Sequence, residues 1–263
     1  MLQYPVISPY VIELWGFKIR WYGVMYLLSF IGTYLVARYL LRTKRFIQMH
    51  ITEAELSDLY FSLILGVILG GRLGYVLFYN FSYYIYHPFS VFAVWEGGMS
   101  LHGGLIGVLF AAWLFVRKRN VALYDLLALL AIVTPIGISL GRIGNFINGE
   151  LYGYPSNVAW CMVFPTVSLC RHPTQIYHFL LEGLTLLAIM WIAKNYASIT
   201  NKMLCGIFLL SYGALRFFVE FFKESERFLG LITMSQILCI PMILIGLWLV
   251  WKKDHRGPLV YTA

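Results

Sequence analysis

Residues 125–150 read DLLALLAIVTPIGISLGRIGNFINGE. No ionic residue stands between Asp125 and Arg142, so the run is apolar enough to cross the roughly 30 Å of bilayer hydrocarbon as a helix. Arg142 then falls at the end of that helix. Residues 141–150 add three glycines, two asparagines and Glu150, a polar, pliable segment where a membrane helix meets the interface.

Composition agrees with this environment. Of 263 residues, 60% are hydrophobic and only 12% charged, with a mean hydropathy of +0.74, values of polytopic membrane proteins and not of soluble domains. The formal net charge is +8. The basic residues are scattered singly or in short runs at helix ends, without the stripe that a phosphate backbone requires, so no nucleic-acid partner is expected and the excess reads as topology.

Seven stretches are long and apolar enough to span: 22–41, 58–79, 101–116, 123–141, 175–193, 203–222 and 231–251. The expectation is an all-α polytopic membrane protein with seven transmembrane helices. Arg38, Arg42, Lys44, Arg45, Arg117, Lys118, Arg119, Lys194, Lys202, Lys252, Lys253 and Arg256 fall on one side, 12 in all. Lys18, Arg20, Arg171, Lys223 and Arg227 make 5 on the other. That asymmetry places the N-terminus outside and the C-terminus in the cytoplasm. The first 21 residues, with Glu13, Lys18 and Arg20 among prolines and aromatics, lack the order of a cleavable signal, so the first helix is expected to do its own targeting. One membrane domain, 1–263, carries two outward segments. Residues 80–100, rich in Tyr, Phe and Trp, read as an interfacial arm. Residues 146–174, with five glycines and prolines and the β-prone piece VAWCMVF, read as a small folded head.

Three of the 20 basic residues remain: Arg72, Arg142 and Arg216, all in or at the ends of apolar spans. By the topology each lies in the outer part of the bilayer. An uncompensated arginine at the bilayer centre costs at least about 2.5 kcal/mol, so three at similar depth are not expected to face lipid. Pairing with an acid or snorkelling explains a single one. Glu150, Glu182 and Glu220 are the acids available, and Glu220 follows Arg216 by one helical turn. An arginine cluster near the outer leaflet also suits a phosphate, because the guanidinium fork is always charged and binds phosphate oxygens bidentately. GGRLGY (70–75) and LGRIGN (140–145) flank their arginines with glycine, which serves close helix packing or close approach of a ligand. In EGGMSLHGGLIG (96–107), His102 stands at the outer interface and is a candidate general base.

These pieces together resemble the prolipoprotein diacylglyceryl transferase family of bacterial inner membranes. The resemblance rests on GRIGNFINGELYG (141–153), HGG (102–104), RHPTQIY (171–177), RFFVEFFKE (216–224) and WYGVMYLLSF (21–30). It implies transfer of the diacylglyceryl group of phosphatidylglycerol to the thiol of a prolipoprotein lipobox cysteine, forming a thioether and releasing glycerol phosphate. It implies a seven-helix membrane body with a periplasmic head. Arg142 and Arg216 would be phosphate-binding catalytic residues, with His102 and Glu150 as alternative bases beside a thiolate that arginines alone stabilise. Tyr26, Asn145, Gly153, Tyr212 and Glu220 would line the substrate. By their own chemistry Asn145 and Asn148 can donate to glycerol hydroxyls or phosphate, with turn formation an equally good reason, and Arg72 either binds the headgroup or braces the second helix. One departure is visible: His178 stands where the family usually has glutamate, and Glu182, one turn later, is the candidate replacement.

No metal or cofactor is required, since the six histidines show no paired ligand spacing. Cys205 and Cys239 read as buried packing residues, while Cys161 and Cys170 are either a disulfide or two free thiols. Nothing demands more than a monomer. A phospholipid or organic-anion transporter is the alternative class, although two matching interrupted halves are not visible. A lipid-binding scaffold is the third.

Overall fold

The computed structural model describes residues 2–5, 7–14, 17–94, 97–225, 227–228 and 232–252. Glu96, Lys253 and Arg256, used above, lie outside the described residues. In chain order the elements are β1 (Leu2–Gln3), β2 (Tyr10–Leu14), β3 (Phe17–Arg20), α1 (Trp21–Leu41), α2 (Glu53–Phe78), α3 (Phe81–Tyr86), α4 (Leu101–Arg119) and α5 (Leu123–Ile147). There follow β4 (Met162–Val163), α6 (Thr174–His178), a π segment (Phe179–Thr185), α7 (Leu186–Ala193), α8 (Asn201–Val219), β5 (Arg227–Phe228), β6 (Ile232–Thr233) and α9 (Met234–Trp251). The protein is mostly helical. Its short strands pair as β1 with β4, parallel, and as the antiparallel pairs β2–β3 and β5–β6.

Six helices among the described residues are long and apolar enough to cross a membrane: α1, α2, α5, the composite Thr174–Ala193, α8 and α9. The sequence reading counted seven. The helix that is not among the six is α4, whose last turn holds Arg117, Lys118 and Arg119. Between 22% and 44% of each span is buried, and the uncovered surface is apolar, with Leu27, Phe61, Leu69 and Trp248 all more than half exposed. Such a surface matches acyl chains, while helices satisfy their own backbone groups.

The chain forms two compact units, one of residues 46–126 and one of residues up to Arg45 together with those from Leu127 onward. In the 46–126 unit, α2 begins on a capping box in which Thr52 and Glu55 satisfy each other's backbone N–H groups. It packs along α4 through glycines. A Cβ at Gly70 would lie 2.3 Å from the Gly103 carbonyl oxygen, and one at Gly107 2.0 Å from that of Gly66. Backbone meets backbone, the small-xxx-small solution to helix association where no hydrophobic drive operates.

In the other unit, α5 runs six residues past its expected end. Backbone bonds within a helix do not depend on side-chain polarity, so the polar GRIGNFI piece continues the helix until Gly149, at φ +65°, turns the chain out. The Tyr4 hydroxyl reaches the carbonyls of Phe146 (2.8 Å) and Ile147 (2.7 Å), meeting last-turn acceptors the helix leaves open. Tyr4 also packs with Met162 and Phe164 in a small core that Phe146, Tyr152 and Val167 complete. Burial raises the Tyr4 hydroxyl pKa above the usual tyrosine value.

Cys161 and Cys170 are joined as a disulfide, with Cα atoms 5.5 Å apart; Cys205 and Cys239 are buried and stand outside that disulfide. Closing so short a loop constrains the unfolded chain by about 2–3 kcal/mol. Replacing both cysteines by serine is therefore expected to lower the melting temperature of the purified protein. Alkylation followed by mass spectrometry should label Cys161 and Cys170 only after reduction; full labelling without reductant would contradict the bond.

Candidate functional site

Two guanidiniums on different helices converge on one carboxylate. Arg142 of α5 approaches Glu182 Oε2 with Nη2 at 3.3 Å, and Arg216 of α8 approaches Glu182 Oε1 with Nη1 at 3.5 Å. Glu182 lies in the π segment, whose i→i+5 bonds widen the turn and recur at functional sites. Close approach to α5 is secured at Gly183, where a Cβ would stand 2.2 Å from Ser139 Oγ. Glu182 is 0% exposed. An isolated carboxylate there costs several kcal/mol, and two cations with a third hydrogen-bonding partner offset that cost. The third partner is His178, one turn earlier, with Nδ1 2.6 Å from Glu182 Oε1. Arg216 also meets Glu220 Oε2 at 3.4 Å and Ser235 Oγ at 3.3 Å, and Ser225 donates to Glu220 Oε1 at 2.8 Å.

A donor count separates Arg142 from Arg216, whose two Nη atoms meet Glu182, Glu220, Ser235 and His178, and from the buried arginines Arg72 and Arg45. Arg72 spends all five N–H groups on carbonyls: Nε on Val91, Nη1 on Gly97 and Gly98, and Nη2 on Ser90 and Ala93. Its guanidinium also lies over the Tyr84 ring. Arg45 binds the carbonyls of Lys194, Tyr196 and Ile199 and the Asn201 side chain. Arg142, by contrast, makes one polar contact within 3.5 Å among the described residues, that to Glu182. Its Nε and Nη1 remain available. Because lysine offers three donors on one atom, it cannot reproduce the Arg72 fork. Arg72→Lys is expected to cost about 2 kcal/mol through unpaired buried carbonyls, read as a lower melting temperature of the purified protein.

The segment after α5 is held tightly. Asn145 and Asn148 both turn their amides to Glu150 Oε1, at 2.8 and 3.3 Å, so the exposed Glu150 carboxylate is fixed by the two residues read as substrate-binding. Gln175 and Thr174 hold the carbonyls of Glu150 and Leu151. Leu151 adopts φ +60°, a conformation uncommon for a side chain of that size and kept where surroundings over-determine it. Gly153 is required by space: a Cβ would lie 2.1 Å from the Phe222 carbonyl oxygen.

Tyr212 stands one turn before Arg216 and stacks on Phe208. Tyr26 is exposed, its hydroxyl 3.2 Å from that of Tyr22. Tyr22, which the sequence reading passed over, packs on Gly144 and reaches the side chain of Asn145. Lys223 was counted only as a topology charge. Burial pushes its ammonium below the usual lysine range, Glu220 opposes that, and Arg216 and Arg142 reinforce it, so it belongs to the same electrostatic neighbourhood. His178 and Glu182 were read as a departure and its replacement, not as site residues; the available signal was their cost inside an apolar span. His102 is exposed in the first turn of α4, where Ser100 caps the helix. It belongs to the 46–126 unit and the two arginines to the other.

A mostly helical protein with six helices long and apolar enough to cross a membrane belongs to the class of multi-pass membrane proteins, here with two half-buried arginines converging on one buried carboxylate. The family described as prolipoprotein diacylglyceryl transferase matches residues 9–252. A phosphatidylglycerol-prolipoprotein diacylglyceryl transferase of Pseudomonas fluorescens is 46% identical, with 100% of both chains covered. Proteins of that name from Bordetella avium and Legionella pneumophila are 48% and 45% identical, covering 98% and 96% of this chain and 98% and 100% of their own. The chain belongs to the prolipoprotein diacylglyceryl transferase family.

Proposed function

We propose that this protein is a phosphatidylglycerol-prolipoprotein diacylglyceryl transferase of a bacterial inner membrane. The cysteine sulfur of the lipobox attacks the glyceryl carbon that carries the phosphate, a C–S bond forms, the C–O bond breaks, and glycerol phosphate leaves with the electron pair. The thiol proton goes to a base. Negative charge grows on the leaving phosphate, and fixed cations in a low-dielectric site stabilise it as it develops. Arg142 and Arg216 fill that role in this reading. The observation that carries it is their convergence from two helices on one carboxylate, with Nε and Nη1 of Arg142 uncommitted among the described residues, in a chain of this family.

His102 and Glu150 are the candidate bases, since a free cysteine with pKa about 8.5 is mostly protonated near neutrality. Asn145 and Asn148 set the Glu150 carboxylate, and Tyr26, Tyr212, Glu220 and Gly153 shape the surroundings. Arg72 acts as a brace of the 80–100 arm, with its donors spent on the backbone. A transporter or scaffold would not need a transferase family's sequence over nearly its whole length.

In the membrane arrangement we infer, α4 makes the seventh crossing, and the 80–100 arm and 146–174 head face the periplasm. Support comes from the basic asymmetry, from a disulfide suited to an oxidising compartment, and from an arm whose Tyr86, Phe89 and Phe92 are more than 70% exposed, as headgroup-level aromatics are. The test is a purified, detergent-solubilised assay with phosphatidylglycerol and a lipobox peptide. A diacylglyceryl-shifted peptide with equimolar glycerol phosphate is expected, and none with a Cys→Ser peptide. A well-folded protein that yields no adduct across several anionic lipids would reject the reading.

A further inference from the structure

The geometry points to His178 and Glu182 as a positioning pair that fixes the two guanidiniums in register for one phosphate. This rests on Arg142 and Arg216 being the phosphate-binding residues. Glu182 and His178 are 0% and 1% exposed, so neither touches a lipid or a peptide and both act through other groups. Two guanidiniums in a low-dielectric site repel, and without a counter-ion between them they would splay apart. Glu182 prevents this with one oxygen toward each arginine, at 3.3 and 3.5 Å. These are single-point contacts at long distance: Arg142 keeps Nε and Nη1 uncommitted among the described residues, while the Arg216 fork is held further by His178, Glu220 and Ser235.

The carboxylate holds this orientation only if it cannot rotate. His178 Nδ1 at 2.6 Å fixes Oε1, the oxygen facing Arg216, and the His178 ring sits against the same guanidinium, with Nη1 3.3 Å from both ring nitrogens. The histidine therefore orients the carboxylate and backs the arginine at once. The π segment supplies the third constraint, because Gly183 seats against Ser139 of α5 and leaves Glu182 no room to withdraw on that side. The further acid and cation that face this layer are Glu220, which caps the C-terminal end of α8, and Lys223 just beyond it.

The role is tested by three variants in the phosphatidylglycerol and lipobox-peptide assay. His178→Phe keeps a ring but loses the donor, His178→Asn keeps a donor near Nδ1, and Glu182→Asp keeps the charge with a shorter reach. Loss of a supporting hydrogen bond behind a site commonly costs about 10- to 100-fold, so kcat should fall by that much in His178→Phe and in Glu182→Asp. KM for phosphatidylglycerol should move by less than about threefold, because charge on the phosphate grows mainly in the transition state. His178→Asn should stay within about fivefold of wild type. Should His178→Phe fail to fold, the other two variants decide. Folded His178→Phe or Glu182→Asp with undiminished kcat, or folded His178→Asn as impaired as a donor-free variant, would overturn the pair. Arg142→Ala separates the two failures: if it too keeps full activity, the phosphate reading itself has failed.

Discussion

Arg142→Ala is expected to fold and to lose transfer by about a thousandfold, the scale at which removing one preorganised charge donor acts on a reaction that develops an oxyanion. The fold should survive because Glu182 keeps Arg216 and His178 as partners when Arg142 is gone. No buried carboxylate is left alone. Arg142→Lys should recover only part of the loss, since an ammonium supplies charge without the planar fork. Initial rates of peptide modification, beside a melting curve, measure both. A folded Arg142→Ala at near wild-type rate would remove this arginine from the chemistry.

The second large effect lies in the 46–126 unit and concerns stability. Gly107→Leu places a side chain where a Cβ alone would stand 2.0 Å from the Gly66 carbonyl oxygen. Backbone cannot rotate aside as a side chain does, so α2 and α4 must separate. Overpacking on this scale costs about 3 kcal/mol, or a fall in melting temperature on the order of 10 °C. Gly104 is the control. Its would-be Cβ is 3.6 Å from the nearest atom, the Val67 carbonyl oxygen, so Gly104→Ala should melt close to wild type. Equal losses in the two variants would show that the contact along α2 and α4 is not what the glycines serve.

The contrast between those glycines illustrates what sequence can carry. Hydropathy placed the six membrane-length helices to within about six residues at each end, because lipid imposes a length and an apolar composition that are local properties. The end of α5 was misplaced because hydrophobicity, not backbone hydrogen bonding, was the signal used; the helix ends where Gly149 leaves right-handed space. The glycines of GGRLGY were legible as small-residue packing, whereas those of HGG were read only as the setting of His102. Which glycine meets which backbone was not legible, since that depends on how α2 crosses α4.

The site divides the same way. Arg142, Asn145 and Glu150 are near in sequence, and Arg216 and Glu220 are one helical turn apart, so their grouping was readable. Arg142, Arg216 and Glu182 come from three elements, and only packing of the π segment onto α5 brings them together. For the same reason Arg72 could not be told from Arg142 by its glycine neighbours. Five carbonyls from the 90–98 segment distinguish it, and carbonyl positions leave no trace in composition. Cys161 and Cys170 lay within reach of each other on any reading, yet whether they join depends on backbone direction around β4.

The central claim is that Arg142 and Arg216 act on the same phosphate, and a double-mutant cycle measures it. Transfer to the lipobox peptide is compared for wild type, Arg142→Gln, Arg216→Gln and the double variant, each confirmed folded. Groups that act as a unit on one leaving group are strongly non-additive. The double variant should fall no more than about tenfold below the weaker single variant. If its loss instead equals the product of the two single losses, the arginines act independently and the shared-phosphate account is wrong.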